Sequence, residues 1–115
     1  MVVVKFKKRA ATDTIVVLIK DTCCVTYHGY YKQCRRMGDI DAGVHYFVDT
    51  DGTIHVGRDE EAVAGWRFEG HETSLYILAQ SNNKKLNSSQ KLVLEPLLEK
   101  LKQKYKDAKV VERTE

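Results

Sequence analysis

Four histidines (His28, His45, His55 and His71), three cysteines (Cys23, Cys24 and Cys34) and the acidic run Asp59-Glu60-Glu61 are the side chains of this sequence best suited to catalysis or metal binding. Their spacing assembles no site. A structural zinc draws Cys or His ligands at short C-x2-4-C or H-x3-5-H spacings, and neither Cys23-Cys24 nor the scattered histidines supply them. Adjacent cysteines make no easy bridge to each other, so all three read as reduced thiols that behave as small hydrophobes. No G-x-S-x-G, P-loop or H-E-x-x-H pattern occurs. Asp51 belongs to a turn, and Asp59-Glu60-Glu61 follows a strand, where a solvated turn accounts for it better than a catalytic pair does. Residue types alone point to an α/β domain with no cofactor.

One domain, residues 1–115, has to position whatever chemistry there is, because chains divide into several cores only beyond roughly 250 residues. A composition of 43% hydrophobic and 30% charged residues excludes disorder as the main state. The longest apolar run, Ile15 to Ile19, is five residues, against about 20 for a membrane span and about 7 to 15 for a secretion-signal core. The expectation is a soluble chain with no secretion signal that touches no membrane and works in the cytoplasm. Net charge is +3, and Lys5, Lys7, Lys8 and Arg9 stand in residues 1–9 without an acid, so the rest of the chain is near neutral. A nucleic-acid binder spreads a basic face over its fold. Here the basic feature is one short arm, which also suits a solubilising edge strand.

Val2, Val4 and Phe6 alternate with Val3, Lys5 and Lys7, the period of a half-buried strand. The unbroken Ile15-Val16-Val17-Leu18-Ile19 predicts a strand covered on both faces at the centre of a sheet. Tyr27 to Met37 predicts a helix with Tyr27, Tyr30, Tyr31 and Cys34 on one face, stopped at Gly38. Val44–Val48 and Thr53–Val56 flank Asp51-Gly52, a pair that predicts a hairpin with a type I′ turn. Ser74–Ala79 reads as a strand and Gln80–Asn87 as a loop. Ser88 or Ser89 is expected to cap a helix with Leu94, Leu97, Leu98, Leu101 and Tyr105 on one face. Pro96 implies a kink there or a true start near Glu95, and Lys109-Val110-Val111 a last short strand. Strands joined by a hairpin and by helices predict a mixed central β-sheet flanked by helices.

The run Asp41-Ala42-Gly43-Val44-His45-Tyr46-Phe47-Val48, then Asp51-Gly52-Thr53 and Gly57-Arg58, resembles the D-I-G-Y-H-[FY]…D-G-[TV]…G-R signature of zinc-dependent N-acetylmuramoyl-L-alanine amidases. That family includes the phage lysozyme-amidases and the peptidoglycan recognition proteins. Thr14–Leu18 resembles its first core strand, Glu69–Ile77 its G-[HY]-N-x-N-S-I-G segment, and Ser88–Tyr105 with Val110-Val111 its late helix and strand. The resemblance implies an amidase-like fold, C-terminally truncated relative to the family.

Residue by residue, the resemblance implies a degenerate site. Leu18 stands where the family has its first zinc histidine, Val44 where it has the catalytic tyrosine of G-Y-H, and Arg113, or Glu112, where the second zinc histidine is expected. His45 reads as a satisfied core histidine, and Trp66 stands where a further family histidine falls. A catalytic zinc needs three protein donors and an open position for water. The expectation is therefore a pseudoenzyme: an inactive amidase-fold phage or phage-derived protein in the bacterial host cell, without metal or cofactor. It would inhibit an intracellular polymerase or defence nuclease, such as a CRISPR effector, by contact with that protein and any nucleic acid it carries. Lys5, Lys7, Lys8, Arg9, Tyr30, Tyr31, Trp66 and Arg67 are the candidate contacts, since aromatics and arginine carry interface energy disproportionately. Two alternatives stand beside it: a non-catalytic module that binds peptidoglycan fragments, and an RNA- or DNA-binding protein using the basic arm with stacking tyrosines.

Overall fold

A computed structural model describes residues 6–23 and 26–115. Its elements follow in the order β1 (Thr14–Lys20), α1 (Tyr27–Arg36), β2 (Tyr46–Val48), β3 (Ile54–Val56), β4 (Ser74–Gln80), α2 (Ser88–Lys104) and β5 (Lys109–Thr114). One five-stranded sheet has the order β3-β2-β4-β1-β5. β1 runs parallel to both β4 and β5, β2 parallel to β4, and only the β2–β3 hairpin is antiparallel. This is the mixed sheet flanked by helices that the pattern of runs predicts. The alternating strand Val2–Phe6 falls largely outside the described residues; Phe6 itself lies under the Arg58 guanidinium, 3.8 Å from carbon to ring centroid.

The period of two along β1 divides the core. Val16 and Leu18 join Tyr30 and Cys34 of α1, with Phe47, Tyr76 and Leu78, on one face. Ile15, Val17 and Ile19 join Leu94 and Leu101 of α2, with Leu75, Ile77 and Ala79, on the other. Because β1 and β4 are sandwiched between both helices, they read as unbroken apolar runs, and every residue of β4 is buried.

Local chemistry corrects three expectations. The hairpin turn is not type I′: Gly52 N–H reaches Asp49 O (3.0 Å) and Asp49 N–H reaches Thr53 O (2.9 Å), and of the turn residues only Gly52 has a positive φ, +89°. Three residues separate the paired ends, so the chain takes a tight turn followed by one left-handed glycine, the usual three-residue solution. The cap of α2 is Asn87 rather than Ser88 or Ser89; its carboxamide accepts from Gln90 N–H, and Gln90 answers to the Asn87 N–H in a capping box. Gln90 then donates from its buried amide to Gln80 O (2.7 Å), fastening the helix start to the end of β4. Pro96 lies inside a continuous α2 and does not begin it. The carbonyl it leaves without a donor belongs to Leu92, an exposed residue where water can serve. Replacing Asn87 by alanine is expected to lower unfolding free energy by about 1 kcal/mol, read as a shifted urea midpoint at constant slope; an unchanged midpoint would refute this role for the cap.

A cationic cleft between β1, β4 and β5

The most recognisable motif residues build scaffold. Arg58 forks onto Asp41 with three N–H···O contacts of 3.0 to 3.2 Å, both side chains nearly buried. Gly57 N–H donates to His45 O and Arg58 N–H to Val44 O, each 2.9 Å. His45 is fully buried. Its Nδ1 accepts from Tyr76 N–H (2.9 Å) and its Nε2–H donates to Ala62 O (2.7 Å), which fixes the neutral tautomer. Burial pushes its pKa down to about 4, helped by the charges of Arg9 and Arg58.

Leu18 and Val44, two of the three degenerate positions, lie in the apolar cluster under α1, 1% and 0% exposed. Arg113 is the third, and register places it opposite Leu18 across β1 and β5. It borders a cleft of about 210 Å³ lined by Lys20, Arg67, Phe68, Glu69, Tyr76 and Glu115 as well. Arg113 Nη2 donates to the Tyr76 hydroxyl (2.6 Å) and Nη1 to Glu69 Oε2 (3.3 Å). The Tyr76 hydroxyl in turn donates to Glu69 O. Burial raises the Tyr76 pKa, against the pull of Arg113, so the phenol keeps its proton at neutral pH. Arg67 is held by Asp39 (3.0 Å) and by Ala42 O (2.6 Å). The cleft can therefore hold an anionic or strongly hydrogen-bonding group against a tyrosine and a phenylalanine. A larger hollow, about 460 Å³, lies beyond the ends of β1 and β4. Much of its polar floor is engaged within the chain, Gln80 bonding Thr22 and Asp21, and Gln90 bonding Gln80.

The structure does not fit zinc at these positions, since a leucine hydrocarbon and a guanidinium have no electron pair to donate. Among the described residues no group of three or more His, Cys, Asp or Glu is placed to hold a metal ion. His55 instead pairs with Asp49 at 2.8 Å.

Two of the expected contact residues are structural. Arg9 is buried, 6% exposed, and donates to Ala62 O (2.8 Å) and Thr12 Oγ1 (2.9 Å). Tyr30 is core, stacked on Phe47. A buried side chain offers nothing to a partner, so both leave that set. Lys7 and Lys8 are exposed, Tyr31 is half-buried and Trp66 is 79% exposed; Lys5 lies outside the described residues. Lys8 bridges to Ala62 and pairs with Glu61, whereas Arg67 is tied to the segment after α1. Lys20, Glu69 and Tyr76 were not singled out in the sequence. The available signal was Tyr76 itself, a phenol inside an otherwise hydrocarbon strand that must find a polar partner.

Fold and sequence point the same way: the chain has the fold that N-acetylmuramoyl-L-alanine amidases share with the peptidoglycan recognition proteins, and its sequence is similar to phage endolysins. Its sequence is 36% identical over 63 residues to the endolysin of Escherichia phage T7, covering 52% of this chain and 42% of that protein. It is 32% identical over 77 residues to the endolysin of Klebsiella phage KP32, covering 64% of this chain and 50% of that one. The chain thus spans about half the length of the curated relatives it matches. Among solved structures, the Ph2119 endolysin from a Thermus scotoductus MAT2119 bacteriophage superposes with a TM-score of 0.76 at 21% identity, over 93% of this chain and 75% of that one. The amidase LysC from Clostridium intestinale URNW gives 0.74 at 20%, over 96% and 78%. Human PGRP-IBETAC, solved in complex with glycosamyl muramyl pentapeptide, gives 0.71 at 14%, over 94% and 75%. No family model matches the chain.

These relatives correct two expectations. They are named endolysins and amidases, which overturns both the inhibitor of a polymerase or CRISPR-type nuclease and the inactive pseudoenzyme. The physical reason is that the pseudoenzyme was inferred from single aligned positions. Those positions bear on one zinc donor set alone and carry no information on what the rest of the cleft does.

Proposed function

We propose that this chain is a peptidoglycan-directed protein that binds muramyl peptide in the cleft beside Arg113. The cleft carries the reading: a tyrosine hydroxyl, an aromatic ring and cationic side chains line it, and a muramyl peptide offers matching carboxylates, amides and sugar hydroxyls. Endolysins among the sequence relatives and a fold neighbour solved with a muramyl pentapeptide support the same direction. Calorimetric titration with muramyl pentapeptide, paired with release of soluble fragments from purified peptidoglycan, tests it. Saturable binding that perturbs the amide resonances of Tyr76 and Arg113 is expected. Absence of binding to both muramyl pentapeptide and intact peptidoglycan would overturn the proposal.

A further inference from the structure

We infer that Arg113 is the carboxylate-binding residue of the cleft and that Glu69 is an internal occupant which a ligand carboxylate displaces. The inference rests on the muramyl-peptide reading and adds the chemical group recognised, a free peptide carboxylate.

Among the described residues the arginine–carboxylate pairs run from fixed to loose, with Arg67–Asp39 between the two extremes. Arg58 and Asp41 form a forked pair with side chains 10% and 14% exposed, a permanent part of the scaffold. Arg113 and Glu69 meet through one contact of 3.3 Å, with side chains 34% and 88% exposed, a loose pairing that solvent screens. Across the same cleft, Lys20 and Glu115 stand 3.9 Å apart, 39% and 55% exposed. Two cations therefore hold weakly bound, solvent-facing carboxylates that another carboxylate can replace.

The guanidinium is nonetheless positioned. Its Nη2 is held by the Tyr76 hydroxyl at 2.6 Å, and that hydroxyl gives its proton to Glu69 O, which leaves an oxygen lone pair for the arginine. One arm of the fork is thus fixed by Tyr76 while Nη1 faces an exchangeable anion. A planar guanidinium suits a planar carboxylate. Where the family resemblance implies an electron-pair donor to a cation, this chain supplies the cation.

The test compares a muramyl tripeptide bearing a free C-terminal carboxylate with its C-terminal carboxamide. The wild-type protein is expected to bind the acid roughly tenfold more tightly than the amide. Arg113→Gln should bring the acid down to the affinity of the amide. Glu69→Gln should tighten the acid severalfold more than the amide, because the internal competitor is removed. Equal wild-type affinity for acid and amide would overturn the inference and leave muramyl-peptide binding standing; failure of both ligands to bind removes both readings. Should Arg113→Gln fail to fold, the acid–amide comparison in the wild type and in Glu69→Gln still decides.

Discussion

Gly57→Ala is expected to cost about 3 kcal/mol of folding stability, at the upper end for an overpacking change. A Cβ at this position would stand 2.3 Å from Val44 O, a backbone atom with no rotamer to escape into. The two main-chain bonds that seat the Gly57-Arg58 segment, to His45 O and Val44 O, must open to admit it. The Arg58–Asp41 fork is anchored on the same segment and would be strained in turn. Urea unfolding followed by circular dichroism should show a lowered midpoint with unchanged slope. A variant within about 0.5 kcal/mol of wild type would mean that the segment yields easily and that the G-R pair is not fixed by this close approach.

Stability is expected to fall by roughly 3 kcal/mol as pH drops through the window from about 6.5 to about 4, because of one residue, His45. Its pKa lies near 4 in the folded chain, below the ordinary 6.5, with burial the leading cause. In this window the unfolded chain takes up a proton that the folded chain refuses, so stability increases with pH and the full contribution is present above 6.5. The Glu60 carboxyl is also held below its usual value, by Lys104, Tyr46 and Tyr105 acting against its own desolvation. Its loss comes at lower pH, as the solution nears the ordinary carboxylate range, and so is separable. Unfolding free energies measured at half-unit pH steps would show the slope, and His45→Gln should flatten it. A wild-type profile that stays level down to pH 4 would refute the buried neutral imidazole.

The sequence carried most of the fold because its strongest signals are local. Ile15–Ile19 and Leu75–Ala79 are unbroken apolar runs because helices cover both faces of β1 and β4, and the Leu94/Leu101 spacing survives Pro96 because packing against the sheet outweighs one missing hydrogen bond. What stayed hidden depends on distance along the chain. The turn type follows from three residues closing the hairpin, which the Asp-Gly pair alone does not reveal. A capping oxygen at Asn87 wins over Ser88 and Ser89 because Gln90 can answer it. The cleft was least legible: parallel register sets Leu18 opposite Arg113 and Val16 opposite Tyr76, and no spacing within one segment encodes that arrangement. Leu18 and Val44 were noticed for the family residues they replace, yet they form core, whereas Arg113, noticed for the same reason, faces the cleft.

The pairing of β1 with β5 also bears on how the chain is made. The ribosome delivers Thr14–Lys20 early and Lys109–Thr114 late, so β1, which lies second from the edge of the sheet and not at its centre as the apolar run predicts, must wait with one flank bare while everything between them emerges. Until then Ile15–Ile19 offers unpaired amides and a dense aliphatic surface to any neighbouring nascent chain. A trigger-factor-like holdase or slowed translation should therefore raise the soluble yield more than lowered temperature after release does.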